Sequence, residues 1–422
     1  MRSWEVGKLS NSNNLNDHSP SQHPSFSALS ASNLTMKAIW NIIIREFKII
    51  FSSRLYILAL LIFPIADCLF LGGIYSAGFL EKLPVAVIDH DNSKISRNII
   101  RFFNASPGME VKYRISNTEE LRDLFARQKA VLGLYIPTNT QKNIKRQKTH
   151  DITVFINSSN YIAASIADID ANTIIATVSG GIKYKTLNKK GFSSKQAKEL
   201  LMPVKNDTAK LFNPALNYNI FLTPGLWMSV IQQLLILAGI LAISTEFDLK
   251  TIRAMLRSGG ASVLKAMSGK LIFYTFFAYV HFEILYRVLF PLFAIPIAGS
   301  TSAVIVLSMC FAFAAISLGM LLSSVLRTRA NALRGCLIIA APAFLLSGYT
   351  WPLEQMPVFL RVFSETIPLT PFLAGFRKIY MYGLGTEFIL TYAKQLVISG
   401  VIFFSLAYVF TFMRIKKQEA KK

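Results

Sequence analysis

The chain has 422 residues, 52% of them hydrophobic, a mean hydropathy of +0.42 and a formal net charge of +22. That apolar content excludes most soluble enzymes and fits a polytopic membrane protein. Basicity alone carries no base readout. Because Lys and Arg mostly flank apolar runs, membrane lipids with anionic headgroups are the expected partner, and no nucleic acid.

Residues 1–35 are rich in Ser and Asn and have no apolar period, so they read as a disordered extension; no apolar stretch marks a signal peptide. Met36 resembles a natural start, and a peptide from upstream of it in mass spectrometry would refute that reading. Over residues 36–54, Ile39, Trp40, Ile43, Phe47 and Ile50 recur at helical spacing while Arg45, Glu46 and Lys48 fall elsewhere. This predicts an amphipathic interfacial helix; an ordinary lead-in to the first span is the alternative. A first apolar span follows at 55–75.

Residues 76–225 alternate strand and helix signals and predict an α/β domain followed by a long helix. Val85–Ile88, Val111–Ile115, Val131–Ile136 and Ile152–Ile156 read as strands. Ser93 and Asn117 or Thr118 read as helix caps, and the long helix starts after Asn160 with a break expected at Gly180-Gly181. The turn at 89–92 places His90 between two Asp, but with no second ligand cluster it reads as a solvated turn rather than a metal site. The cysteines, Cys68, Cys310 and Cys336, all lie in apolar runs, so this domain folds without disulfides.

Five more apolar runs, at 226–243, 271–297, 303–325, 333–348 and 392–412, complete six predicted transmembrane helices, since crossing a hydrocarbon core takes about 20 apolar residues. Lys and Arg concentrate before the first span, between the second and third, between the fourth and fifth, and in the basic tail 414–422. The positive-inside rule then puts both termini in the cytoplasm and residues 76–225 outside. The fold class is therefore a polytopic α-helical membrane protein of six transmembrane helices, with an external α/β domain between helices 1 and 2.

No energy-converting chemistry is evident. Gly269-Lys270 is followed by Leu271, and residue 264 is Leu, so no phosphate-cradling loop forms there. Neither a nucleophile elbow nor a zinc-binding H-E-x-x-H occurs, so catalytic residues, resident metal and cofactor are all expected to be absent. Uphill transport by ATP would need a separate hydrolase.

Three segments stand out. Residues 246–257 predict a short amphipathic helix beside the membrane, with Ile252, Met255 and Leu256 on one stripe and Glu246, Lys250 and Arg253 on a polar face; Asp248 and Thr251 complete its candidate residues. It reads either as a coupling helix taking force from a motor or as a solvated connector. Within 348–375, Pro352, Pro357, Pro368 and Pro371 break an apolar run containing Trp351 and Met356, which predicts a re-entrant or interfacial hairpin rather than a span. A lid over a pathway and an anchoring loop are the alternatives. Asp67, His281, Glu283 and Arg287 are ionisable within spans, where an unpaired charge costs about 2.5–3.5 kcal/mol. Glu283 and Arg287 can pair at i, i+4; facing a transport route is the other reading.

At these positions the chain resembles the permease subunits of type-2 ABC transporters, in the exporter branch with a large external domain after the first span. The resemblance rests on Asn213-Pro214, then Phe221-Leu222-Thr223-Pro224-Gly225 and Gln232 at the second span. It rests also on the Glu246–Leu256 segment, similar to an E-x-E-x-G-T pattern in which Glu246 and Thr251 match, Asp248 replaces Glu and Lys250 replaces Gly. The third element is Ser347-Gly348-Tyr349-Thr350-Trp351-Pro352 with Met356-Pro357, like the family's external hairpin. Lys in place of Gly is expected to strengthen the helix. The resemblance implies a bacterial inner-membrane half-transporter for an amphiphilic or drug-like cargo, pairing with a second permease as a homo- or heterodimer. It also implies cytoplasmic ATP-binding subunits that hold ATP and Mg, and in some relatives a periplasmic adaptor. The rival readings are a proton-coupled secondary transporter working through Asp67 or Glu283, and a membrane-anchored sensor.

Overall fold

The computed structural model describes residues 26–146, 148, 151–202 and 209–420. The elements are α1 (Phe26–Ser52), α2 (Arg54–Tyr75), β1 (Leu83–Asp89), α3 (Lys94–Ala105), β2 (Met109–Arg114), α4 (Thr118–Ala126), β3 (Leu132–Ile136), α5 (Thr140–Lys145) and β4 (Thr153–Ile156). They continue with α6 (Tyr161–Lys189), α7 (Ser194–Leu201), α8 (Tyr218–Asp248), α9 (Ile252–Ser258), α10 (Val263–Leu292) and α11 (Thr301–Leu326). The last are α12 (Arg329–Leu346), α13 (Val358–Thr366), α14 (Leu369–Tyr380) and α15 (Thr386–Glu419). Among the described residues seven helices are long and apolar enough to cross a membrane: α2, α6, α8, α10, α11, α12 and α15. The chain divides into two compact units.

One unit, Leu69–Trp227 with Pro291–Pro296, holds a four-stranded sheet of order β2-β1-β3-β4. β1 runs parallel to β2 and β3, and β4 closes the edge antiparallel to β3. Val85, Ala86, Val87 and Ile88 are all buried, because β1 is covered on both faces, as parallel strands between helices are. On one face Val85, Val87, Leu132 and Leu134 meet Ile99 and Phe103 of α3 and Ala163, Ala167, Ala171 and Ile174 of α6. On the other, Ala86 and Ile88 meet Leu121 of α4 and Ala130. The expected strands all form, and Ser93 and Asn117 cap α3 and α4 as read from sequence. Asp89 is spent locally: its carboxylate accepts from the amides of Asp91 and Asn92, at 3.0 Å each, and from Ser96 Oγ at 2.7 Å.

One expectation in this unit fails. α6 runs unbroken through Gly180 and Gly181, since a glycine pair costs a helix only about 1 kcal/mol per residue and 29 residues of propagation absorb it. α6 also has the length and apolarity of a span, although the stripe Ala163–Ala167–Ala171–Ile174 packs on the sheet.

The other unit contains the chain up to Cys68, Met228–Phe290 and the chain from Ile297 onward. α11 lies at its centre, with Leu307, Phe311, Ala314, Ala315 and Ile316 fully buried. It meets α8 at a glycine crossing so close that a Cβ on Gly239 would lie 2.2 Å from the Ile316 carbonyl oxygen, and one on Gly319 2.1 Å from that of Ile236. Small residues at such a crossing let backbones approach where lipid supplies no hydrophobic drive. Gly400 of α15 similarly admits the ring of Phe313. α2 and α10 each contain a π-turn, at Leu58–Ile62 and Leu285–Leu289, just before Pro64 and Pro291. The widened turn removes the clash between each proline ring and the carbonyl four residues earlier.

Three further boundaries differ from the sequence reading. Residues 26–35, expected to be disordered, are the first turns of α1, because a helix nucleated by 36–52 gains one hydrogen bond per added residue; residues 1–25 lie outside the described residues. The helix that holds the second predicted span, α8, begins at Tyr218, not 226. The basic tail is helical as far as Glu419, continuing α15.

Candidate functional site

The predicted helix over 246–257 is in fact two helices. α8 ends at Asp248, Lys250 takes a left-handed conformation with φ of 56°, and α9 begins at Ile252. The expectation that Lys in place of Gly strengthens a continuous helix is therefore wrong. This position needs a positive φ, which glycine adopts freely and a lysine adopts at a cost.

The turn is held by one carboxylate. Glu246 Oε1 accepts from Arg45 Nη1 at 2.5 Å and from Lys270 Nζ at 2.8 Å. Its Oε2 accepts from Arg45 Nη2 at 2.8 Å and from Thr251 Oγ1 at 2.6 Å. The Thr251 amide also donates to the Glu246 carbonyl at 2.9 Å, closing the turn. Glu46 completes the cluster, accepting from Lys270 Nζ, from Arg45 Nη1 at 3.3 Å and from the Tyr274 hydroxyl at 3.1 Å. Glu46, Glu246 and Lys270 are each 1% exposed, and two cations balance two carboxylates. Charges that are both buried and this fully hydrogen-bonded escape the penalty of an unpaired ion. Burial opposes the Arg45 charge, but its Glu246 bonds outweigh this and hold the guanidinium above its ordinary pKa. Beside the cluster a cavity of about 10 Å³, lined by Glu46, Tyr56, Thr245, Glu246, Lys270 and Tyr274, has room for one water.

Of the other residues expected here, Met255 packs with Ile42 of α1 and Ala266 of α10, with Leu256 against them. Asp248 pairs with Arg329 Nε at 3.0 Å, and Arg253 is exposed. The remaining span-entering residues serve α8. Asn213 Oδ1 accepts from the Asn217 amide at 3.0 Å, and Asn217 Oδ1 from that of Ile220 at 3.2 Å. Pro214 follows Asn213 in this lead-in, while Phe221, Pro224 and Gly225 lie inside the helix rather than before it. Gln232 is fully buried, its amide without a hydrogen-bond partner among the described residues.

A family profile for ABC-2 family transporter proteins matches residues 54–409. The chain belongs to that family. It is 24% identical over 323 residues to the probable multidrug ABC transporter permease YbhR of Escherichia coli, covering 76% of this chain and 84% of the relative. It is 21% identical over 360 residues to the linearmycin resistance permease protein LnrN of Bacillus subtilis, covering 82% and 92%. It is 23% identical over 376 residues to the inner membrane transport permease YhhJ of E. coli, covering 88% and 96%. The chain is thus a permease subunit of an ABC transporter and a multi-pass membrane protein.

In this ABC-2 permease the 348–375 segment is two short helices, neither long enough to span. Ser347 Oγ donates to the Phe344 carbonyl at 2.7 Å, and Gly348, with φ of 77°, turns the chain out of α12. Trp351 is exposed, Pro352 opens a short 3₁₀ turn ending before Met356, and Pro357 leads into α13. α13 exposes Val358, Phe359 and Val362, whereas α14 is buried and stacks Phe372, Phe376 and Tyr380 in a row that continues onto Phe311. Among the ionisable residues, Glu283 and Arg287 bond to each other, as the i, i+4 reading expected. His281 is buried with Nδ1 3.0 Å from the Phe277 carbonyl oxygen, and Asp67 is half-buried on α2.

The sequence reading missed Arg45, Glu46, Lys270 and Tyr274 as site residues: Arg45 and Glu46 were placed on the polar side of an interfacial helix, and Lys270 was counted among the basic residues that set orientation and excluded from a phosphate loop. Their one local signal is an acid or base within a turn of an apolar run, where burial obliges it to find a partner.

Proposed function

We propose that this permease forms the membrane pathway of an exporter for an amphiphilic or drug-like cargo, driven by a separate ATP-binding subunit that holds ATP and Mg. The carrying observation is the Glu246 junction. One carboxylate grips α1, α10 and Thr251, the last residue of the α8–α9 turn and the N-cap of α9, so a displacement of α9 passes to the long helices instead of being absorbed by a loose loop. α9 presents Arg253, Ala254 and Arg257 outward, a basic face for an acidic surface on the ATPase. Six helices, α2, α8, α10, α11, α12 and α15, are the spans, and α6 stays outside the bilayer because its alanine stripe is taken up by the sheet. The clusters of Lys and Arg favour a bacterial inner-membrane orientation with both termini and α9 cytoplasmic, and with the α/β unit and the 348–375 hairpin outside. There α13 and Trp351 would rest at the outer interface and hold α14 as a lid. A second permease, identical or not, completes the pathway, and a periplasmic adaptor extends it. The relatives named for multidrug transport and linearmycin resistance support an amphiphilic cargo.

Purification from native membranes tests the reading. An ATP-binding subunit should co-elute with the wild type and be lost from the Arg253→Glu/Arg257→Glu variant, which should itself remain monodisperse. Full retention of the ATPase by that variant, or uphill transport by the purified chain without nucleotide, would overturn it.

A further inference from the structure

Glu246, Phe247 and Asp248 are consecutive in the last turn of α8, so their side chains fan out at successive steps of about 100° around the helix. Each meets a different partner. Glu246 joins α1 and α10 through Arg45 and Lys270. The Phe247 ring lies under the guanidinium of Arg414 of α15, 3.4 Å from its centroid. Asp248 pairs with Arg329, the first residue of α12, at 3.0 Å, and the same guanidinium reaches Thr245 Oγ1 at 3.4 Å. Arg414 also donates to the Arg327 carbonyl at 2.6 Å and to that of Ser323 at 3.5 Å, so it closes the end of α11, whose last carbonyls lack helical partners. Glu246 and Asp248 belong to the pattern that pointed to a coupling segment; Phe247, Arg329 and Arg414 do not.

We propose that the last turn of α8 is a two-sided relay, and that Arg329 and Arg414 are positioning residues making the α11–α12 turn and α15 follow α9. This rests on the coupling role proposed above and extends it. The Glu246 side would carry motion into α1 and α10. The Phe247–Asp248 side would carry it into α11, α12 and α15. The two sides use different chemistry. The Asp248–Arg329 link is an ion pair that can be exchanged end for end. The Arg414 link needs a flat guanidinium that stacks on a ring while its edge feeds two carbonyls, which a lysine ammonium cannot reproduce.

The test is hydrogen–deuterium exchange on the permease purified with its co-eluting ATPase, with and without ATP and vanadate. In the wild type, nucleotide should change exchange at the α8–α9 turn, at the α11–α12 turn and at the end of α15. In Arg329→Gln/Arg414→Gln the response at the α8–α9 turn should persist, and the other two should be lost. Asp248→Arg/Arg329→Asp should restore the α11–α12 response, and Arg414→Lys should not restore that of α15. Persistence of all three responses in the double variant would overturn the relay while leaving the coupling role standing. Absence of any wild-type response at the α8–α9 turn would overturn the coupling role and the relay with it. If the double variant does not fold, the charge-exchanged pair decides alone: failure to restore the response counts against the relay.

Discussion

Replacing Glu246 by Gln removes one charge from a cluster that is otherwise neutral. Arg45 and Lys270 would then share Glu46 alone, leaving one uncompensated buried cation. The amide is isosteric, but its NH₂ must face donors: turned one way it meets Arg45 Nη1 and Lys270 Nζ, turned the other it meets Arg45 Nη2 and the Thr251 hydroxyl. With Glu246 and Lys270 each 1% exposed, solvent screening gives little relief, and breaking a buried pair from one side costs about 3–5 kcal/mol. At the lower end the folded-to-unfolded ratio falls about 150-fold. Removing a cation as well, in Glu246→Gln/Lys270→Met, restores neutrality. That double variant should recover at least about 2 kcal/mol relative to the sum of the single effects. Equilibrium unfolding of the four proteins in bicelles measures the cycle. A Glu246→Gln protein within about 0.5 kcal/mol of wild type, or a strictly additive double variant, would refute the account of these charges as one desolvated unit.

Gly239→Ala or Gly319→Ala should destabilise by at least about 1–3 kcal/mol, because each methyl would meet a facing carbonyl rather than a side chain that can move; thermal unfolding in detergent reads this directly. Lys250→Gly should stabilise the α8–α9 turn by about 0.5–1 kcal/mol, the relief of a left-handed lysine outweighing the extra chain entropy of glycine, with slower amide exchange at Thr251 as the local readout. Replacing the cluster by apolar residues, Arg45→Met/Glu46→Leu/Glu246→Leu/Lys270→Met, should leave unfolding stability equal or higher while nucleotide-driven transport by the assembled complex is lost; retained transport would show that the ionic character is dispensable.

What the sequence made legible was whatever is written in local periodicity. The four strands appear as short β-branched runs and α3 and α4 as capped helices, because alternation, capping chemistry and turn residues act within a few positions. The long helices of the membrane unit were visible for the same reason, although their ends were not. Tyr218 and Asn219 are aromatic and polar and read with Ile220 and Phe221 as lead-in, yet Asn213 and Asn217 start the helix ahead of them. The site was half legible. Glu246 and Thr251 were found through a pattern, but the partners of Glu246 are remote in sequence, Arg45 lying 201 positions away. Nothing local distinguishes a lysine that orients a span from one that neutralises a buried glutamate. The break at Lys250 was hidden because lysine is a good helix former, yet it takes a left-handed conformation in a turn that Thr251 closes back onto Glu246 through its amide and hydroxyl.

Why the α8–α9 turn should be fixed by charges at all follows from what each chemistry can specify. Apolar packing of equal volume would hold these helices at least as firmly, since desolvating four ions offsets most of their attraction. It would also tolerate sliding, because a methylene contact is nearly as good a fraction of a turn away. The Glu246 carboxylate has no such latitude: its two oxygens meet four donors from Arg45, Lys270 and Thr251, and a displacement of one helix strands a buried charge. The glycine crossing at Gly239 and Gly319 fixes α8 against α11 by steric contact. The cluster fixes the rotation and depth of the end of α8 by hydrogen-bond geometry. An element that must pass a small displacement to α1 and α10 without dissipating it needs both constraints, and α8 has one at each station along its second half.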